Sequence, residues 1–228
     1  CSEQGWIKSL KGHIKDVSDQ KYKEGDSEKF VVRCHTTDSL LIFSSNGRMF
    51  TVEAHELPSG RGYGEPIKIM LGLADDAEII NVLKYDPDNR FLVASKDGRG
   101  FIVRAGDCYA QTRNGKKVLN LPDDKGAAVC RPVGPEDDYI AVIGDNRKML
   151  IYPLDELSEM KRGRGVILQR YRGGGLADVR TFKLEEGLTW SYGSGERTET
   201  ELTAWMGKRA QAGRMAPHGF PRSNKFSG

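Results

Sequence analysis

Apolar positions along this chain fall in short blocks, each broken by a polar turn. The blocks LLIFS (40–44), FLVAS (91–95), YIAVI (139–143) and LTWSY (188–192) run into turns that open a second apolar or alternating stretch. Five segments share that shape: EQGWIKSL (3–10), SNGRMFTV (45–52), KDGRGFIV (96–103), DNRKMLIY (145–152) and GSGERTETEL (193–202). Two β-prone runs joined by Asn-Gly or Asp-Gly predict a hairpin, because Gly and Asn tolerate the positive φ of such turns. The third residues, Gly5, Gly47, Gly98, Arg147 and Gly195, recur roughly every 50 residues, a spacing typical of solenoids and propellers. Upstream runs FVVRCHTT (30–37), EIINVLKY (78–85), AAVCRPV (127–133) and VRTFKL (179–184) predict further strands, each followed by an acidic turn. One repeat reads as strand, acidic turn, strand, glycine turn, strand, long loop. Helical periodicity is weak; residues 155–160 predict at most one turn.

The predicted fold is all-β: a propeller-like disc of about five blades of four-stranded antiparallel sheet, the first lacking its opening strand. Such units are too small to bury both faces alone and must stack on their neighbours. Residues 1–228 are expected to form one domain. No apolar run approaches the ~18–20 residues of a membrane helix, and the first five residues are too polar for a signal peptide. Membrane and secreted readings are therefore disfavoured. Cys1, Cys34, Cys108 and Cys130 show no C-x-x-C spacing, which fits a reducing cytoplasm better than zinc. Ser2–Trp6 reads like the middle of a hairpin, so a longer parent polypeptide is expected.

Charge changes the picture through its distribution. The chain has 35 Lys and Arg against 32 Asp and Glu, a net charge of only +3. The loops after the hairpins are nevertheless basic and glycine-bearing. SLKGHIKD (9–16) follows Lys8 and carries Lys11; PSGRGYGEPIKI (58–69) carries Arg61. AQTRNGKKVLNL (110–121) carries Lys116 and Lys117, and EMKRGRGVILQRYRGGG (159–175) carries Arg162, Arg164, Arg170 and Arg172. WMGKRAQAGRMAPHGF (205–220) carries Lys208, Arg209 and Arg214 within a basic tail over 207–228. The hairpin turns add Arg48, Arg99, Arg147 and Lys148, while acids gather in the intervening turns, as at Asp75-Asp76, Asp123-Asp124 and Asp137-Asp138. In one loop a Gly-Arg pair is an ordinary solvated residue pair. Recurrence in repeat after repeat points to duplex DNA, whose phosphates are regularly spaced and carry no sequence identity. If the repeats close into a disc, these residues are expected to form one basic outer track. Smoothly bending 20–30 base pairs by 40–90° costs of order 1–6 kcal/mol, which contacts distributed along a curve can offset.

GWIKSLKGH (5–13), the strand–NG/DG–strand units and MKRGRGVILQRYRGGGLADV (160–179) together resemble the C-terminal domain of the A subunit of bacterial type IIA topoisomerases, nearer the topoisomerase IV branch than gyrase. The resemblance implies a β-pinwheel whose blades exchange strands with their neighbours. Its basic rim would bind and bend duplex DNA and present it to a catalytic core for supercoil relaxation and decatenation. The partners implied are the N-terminal catalytic core of the same polypeptide and the ATPase B subunit in an A2B2 holoenzyme, in the bacterial cytoplasm at the nucleoid. The nucleophilic tyrosine, magnesium site and ATP site of the family lie elsewhere, so no cofactor and no catalytic residue are expected in this domain. Gyrase carries a Q-R-R-G-G-K-G box in its first blade; the first repeat here has SLKGHIKDVSD instead. The nearest string, Gln169–Gly175, comes late and has Tyr171 inserted, which favours a basic turn touching phosphate over a working box.

Other constellations carry less. Gly60–Gly64 does not complete G-x-G-x-x-G, and Gly115-Lys116-Lys117 lacks the rest of a nucleotide loop. His13, His35, His55 and His218 are scattered and read as surface or core residues. Trp6, Trp190 and Trp205 read as core, whereas Tyr63 and Tyr171, flanked by Arg and Gly, are the aromatic candidates for touching DNA. The alternative function is a protein-binding propeller scaffold.

Overall fold

A computed structural model describes residues 1–12 and 14–227; His13 lies outside the described residues. In chain order the strands are β1 (Trp6–Ile7), β2 (Ser39–Ser44), β3 (Arg48–Glu53), β4 (Glu65–Pro66), β5 (Ile79–Lys84), β6 (Arg90–Ser95), β7 (Arg99–Arg104) and β8 (Lys116–Lys117). They continue as β9 (Ala127–Val133), β10 (Tyr139–Gly144), β11 (Lys148–Pro153), β12 (Val166–Ile167), β13 (Leu176–Phe182), β14 (Leu188–Tyr192), β15 (Gly195–Glu199) and β16 (Arg214–Met215). Contacts divide the chain into two units, Cys1–Asp86 with Cys108–Lys117, and Pro87–Asp107 with Val118–Gly228. Among the described residues no helix is long and apolar enough to cross a membrane.

Three four-stranded antiparallel sheets repeat one order: β5-β2-β3-β8 in the first unit, and β9-β6-β7-β12 and β13-β10-β11-β16 in the second. The first and last repeats contribute two-stranded sheets, β1-β4 and β14-β15. In every four-stranded sheet a hairpin sits in the middle and the next long strand of the chain pairs back onto it. A two-residue strand then closes the far edge, but only after the chain has built the following hairpin. This is strand exchange: β8 closes the sheet of β2-β3 after β6 and β7 have been laid down.

The exchange corrects the repeat boundary read from the sequence. EIINVLKY does not pair with the FLVAS run that follows it; it pairs backwards onto LLIFS, from Leu40↔Lys84 to Ser44↔Ile79. AAVCRPV likewise pairs onto β6, and the LADVRTF strand onto β10. A local reading takes adjacent runs as partners, whereas register is decided by which faces are buried. FVVRCHTT forms no strand. In the other repeats this run pairs onto the strand preceding the glycine turn; here residues 1–3 meet 27–30 through an isolated bridge, Ser2↔Glu28, and through bonds such as Phe30 N–H to the Cys1 carbonyl (2.9 Å) and Glu3 N–H to the Ser27 carbonyl (2.8 Å). The predicted helical turn near residue 155 is a short 3-10 turn at Leu154–Glu156.

Apart from their first residue, β2, β6 and β10 are buried throughout, which explains their near-continuous apolar runs. In the second unit alternate residues of β10 face opposite ways. Ile140 and Val142 pack with Leu92, Ile102 and Leu150, while Ala141 and Ile143 pack with Trp190, Phe220 and Phe226. Each fully buried large side chain contributes about 1.5–3 kcal/mol. Pro217, Phe220 and Phe226 thus anchor the basic tail to the core, while Arg222 stays exposed. The Phe226 N–H donates to Asp178 (2.9 Å), which is fully buried and also accepts two bonds from Arg131 Nη2 (2.8 and 3.0 Å).

Candidate nucleic-acid interface

Two left-handed positions in each of the first four repeats build the candidate site. The first closes the hairpin turn, where the backbone N–H donates three residues back: Gly5 to Ser2 (3.0 Å), Gly47 to Ser44 (3.0 Å), Gly98 to Ser95 (2.9 Å) and Arg147 to Gly144 (3.0 Å). The φ angles there are 80°, 79°, 86° and 61°. These are the anchors read from the sequence, except that in the last repeat Gly193 and not Gly195 takes the positive φ (60°). Arg147 occupies a conformation that costs a side-chain-bearing residue roughly 1–2 kcal/mol. Its guanidinium offsets this by donating to the carbonyls of Phe220 (3.1 Å) and Pro221 (2.9 Å) and to Asn224 Oδ1 (3.0 Å).

The second position immediately precedes each exchanged strand. Gly64, Gly115, Gly165 and Gly213 have φ of 88°, 69°, 80° and 77°. A methyl group there would come within 2.2, 2.9, 2.2 and 2.3 Å of the carbonyl oxygens of Ile7, Met49, Gly100 and Met149. Only glycine fits such a backbone approach. The residue after each glycine pairs with that same hairpin residue: Glu65 with Ile7, Lys116 with Met49, Val166 with Gly100 and Arg214 with Met149. Four equivalent loops, 58–64, 109–115, 158–165 and 206–213, are therefore each delivered to the start of a hairpin strand.

In the first loop Arg61 is exposed and Lys8 donates Nζ to the Gly62 carbonyl (3.0 Å); Lys11 is exposed further along. At the second, Arg48 opens β3 and donates Nη1 to the Asn114 carbonyl (3.2 Å). Exposed Lys116 and half-buried Lys117 form β8 itself, with Lys117 opposite Arg48. At the third, half-buried Arg99 opens β7 opposite Ile167, and exposed Arg162 and Arg164 lie in the exchange loop. At the fourth, half-buried Lys148 opens β11 opposite Met215, Lys208 and Arg214 are exposed, and Arg209 donates Nη1 to the Ile167 carbonyl (2.8 Å). Arg147 is half-buried and turned to the C-terminal segment. Arg170 and Arg172 are exposed, but they belong to a different loop, on the far side of β12.

Arg164 meets Asp97 at 3.2 Å. Partial burial pushes the Asp97 carboxyl up, but hydrogen bonds from the Ser95 hydroxyl and from Arg164 outweigh it and hold the group below the usual carboxylate range. Among aromatic residues, Tyr63 is 47% exposed in the first exchange loop. Tyr171 is a correction: its ring lies against Gly98 and Gly144, is largely buried, and is withdrawn from contact with a ligand. Arg113, exposed in the second exchange loop two residues before its glycine, is a cation that the sequence reading passed over. The second glycine of each repeat, recurring roughly every 50 residues, is the signal that locates it.

A family model described as DNA gyrase C-terminal domain, beta-propeller, matches residues 38–86, 89–129 and 138–181. The A subunit of DNA topoisomerase 4 from Rickettsia bellii is 44% identical over 227 residues, covering 100% of this chain and 30% of that protein. That of Caulobacter vibrioides is 47% identical over 99% of this chain and 29% of the relative. The chain thus spans about 30% of the length of these relatives. The E. coli ParC C-terminal domain superposes with a TM-score of 0.81 at 28% identity, covering 97% of this chain and 93% of that one. The DNA gyrase A C-terminal domain shares the fold at a TM-score of 0.65 and 19% identity. With its exchanged strands, glycine-closed hairpins and a family match over most of its length, the chain belongs to the DNA gyrase C-terminal domain family of β-propellers, on the side of the topoisomerase IV A subunits.

Proposed function

We propose that this chain is a non-catalytic DNA-binding and DNA-bending domain of a topoisomerase IV A subunit. The observation that carries the reading is the repetition of one built element. Four exchange loops, each closed by a glycine against a hairpin carbonyl, each bring a cation to a hairpin start: Arg61, Arg113, the Arg162–Arg164 pair and Lys208. Point charges on glycine-shaped backbone suit a ligand whose phosphates repeat without identity. The parent enzyme's catalytic core and its ATPase partner would receive the bound duplex for relaxation and decatenation, and this domain would need no cofactor of its own.

The test is fluorescence anisotropy of the 228-residue chain with a 40-base-pair duplex. If ~6–10 phosphates are neutralised, affinity falls about 10³–10⁵-fold between 50 and 200 mM salt. A flat salt response overturns the reading.

A further inference from the structure

The segment 169–172 alternates. Gln169 is buried and donates Nε2 to the carbonyls of Lys148 (2.9 Å) and Ala212 (2.9 Å). Arg170 is exposed, Tyr171 turns inward and Arg172 is exposed again. Two inward side chains therefore bracket one outward arginine and precede the other, as in a strand of period two. The Tyr171 ring occupies a slot with a glycine on each side. A methyl group on Gly98 would lie 2.5 Å from Tyr171 Cε2, and one on Gly144 would lie 2.7 Å from Cε1. Gly98 belongs to the turn before β7 and Gly144 ends β10, so a single ring joins the hairpins of two sheets within one unit. The Tyr171 hydroxyl is buried without a hydrogen-bond partner, so the contact is one of shape and not of hydrogen bonding. Beyond it the chain is pinned again. The Gly175 N–H donates to Asp145 Oδ2 (3.0 Å), the Asp145 N–H donates to the Gly175 carbonyl (2.9 Å) and the Leu176 N–H donates to the Lys96 carbonyl (2.9 Å).

We propose that Tyr171 is a positioning residue for DNA binding: keyed between Gly98 and Gly144, its ring fixes the direction in which Arg170 and Arg172 leave the surface toward a phosphate backbone. The inference rests on the DNA-binding reading. An arginine on a freely moving loop must be ordered on binding, at about 0.5–1.5 kcal/mol per side chain, whereas one on a clamped segment is ordered beforehand. The ring adds to that clamp through its shape, beside the Gln169 bonds and the Arg170 N–H, which donates to the Gln211 carbonyl (3.0 Å).

The experiment measures anisotropy against salt with the same duplex for the wild type, Tyr171→Phe, Tyr171→Ala, Gly144→Ala and Arg170→Ala/Arg172→Ala. Phenylalanine is expected to match the wild type within about twofold, because the hydroxyl has no partner. Tyr171→Ala and Gly144→Ala, which empty and block the slot respectively, are expected to bind at least about 5-fold more weakly, as expected when two side chains lose their prior ordering. Their salt slope should fall toward that of the double arginine variant, by up to about 1.8 for two lost phosphate contacts. Adding Tyr171→Ala to the double arginine variant should then change nothing further. If the wild type binds and Tyr171→Ala keeps its slope and affinity, or weakens the double arginine variant further, the positioning role is overturned. If the wild type shows no salt-dependent binding, the failure lies with the DNA-binding reading instead. Gly144→Ala keeps the question open to measurement should Tyr171→Ala fail to fold.

Discussion

The loop that leads into the long edge strand of each four-stranded sheet occurs three times at the same fold position, before β5, β9 and β13. The first two copies are acidic, with Asp75-Asp76 and Asp123-Asp124, and Lys125 is 3.6 Å from Asp124. The third is RYRGGG, with Arg170 and Arg172 exposed. All three lead to a strand whose register slips at the same point, between Phe43/Ser44, Ala94/Ser95 and Ile143/Gly144 of the partner. The repeat thus dictates where this connector delivers its strand and leaves its length and charge free: among the described residues only the first copy carries a short helix, Ile67–Leu71. The exchange loops behave differently: their glycine is demanded by a backbone contact, and cations accompany it in all four copies. Charge that recurs with an obligatory backbone element is a property of the repeat. Charge that appears in one connector of three is a property of that blade.

The comparison can be broken most severely just past the slip, where Asn81, Val129 and Asp178 occupy one register position. Giving the third sheet the residue of the second, Asp178→Val, strands the Arg131 guanidinium and the Phe226 N–H. Losing one partner of a fully buried pair costs about 3–5 kcal/mol; with the Arg131 side chain 34% exposed, the loss lies toward the lower end of that range. Urea denaturation should show that loss, and an unchanged midpoint would mean that the pair carries no stability.

Exchanging the charges of the connectors comes next. Arg170→Asp with Arg172→Asp makes the third connector resemble the first two, and DNA affinity should fall about 10–100-fold, with a salt slope smaller by about 1.8. The reciprocal Asp123→Arg with Asp124→Arg should leave the fold intact; a gain in affinity would show that the second connector lies within reach of the duplex.

A smaller effect is expected at the hairpin turns. Arg147→Gly restores the glycine of the equivalent turns and relieves the left-handed strain, yet removes three bonds to the C-terminal segment. With each bond worth about 0.5–1.5 kcal/mol, a net loss of about 1 kcal/mol is expected, with faster amide exchange over 217–227. Equal or greater stability would show the strain to be the larger quantity.

Smallest is the pH response of Asp97 with Arg164. The folded carboxyl titrates below its ordinary value, so its contribution is fully present above about pH 4 and is lost as pH falls through the folded value. For a partly exposed pair this amounts to under about 1 kcal/mol. The fall in melting temperature on acidification should be slightly shallower in Asp97→Asn. An identical profile would leave the ion pair without a role in stability.

Reading the repeat from the chain succeeded where the physics is local. A glycine or asparagine between two apolar runs marks a hairpin because few other residues tolerate the turn, so Gly47 and Gly98 were legible, and even Arg147 was found by its place in the series. The exchange was not legible. EIINVLKY looks equally able to pair with FLVAS or LLIFS, and nothing in a two-residue segment such as Lys116-Lys117 announces a strand. The same gap merged 159–175 into one basic loop, when β12 divides it into an exchange loop and a connector. It also offered Tyr171 as an exposed aromatic, since an Arg-flanked tyrosine gives no sign of a slot between two distant glycines.

By itself, then, the sequence determined that this chain builds glycine-closed β hairpins at a regular interval and that its cations cluster in the loops between them. Those features follow from backbone sterics and from charge counted along the chain. Only the tertiary structure decided which strand pairs with which, which arginines reach solvent and which are committed to carbonyls. Each of those outcomes depends on contacts between residues tens of positions apart, where burial and register, and not local propensity, choose the partner.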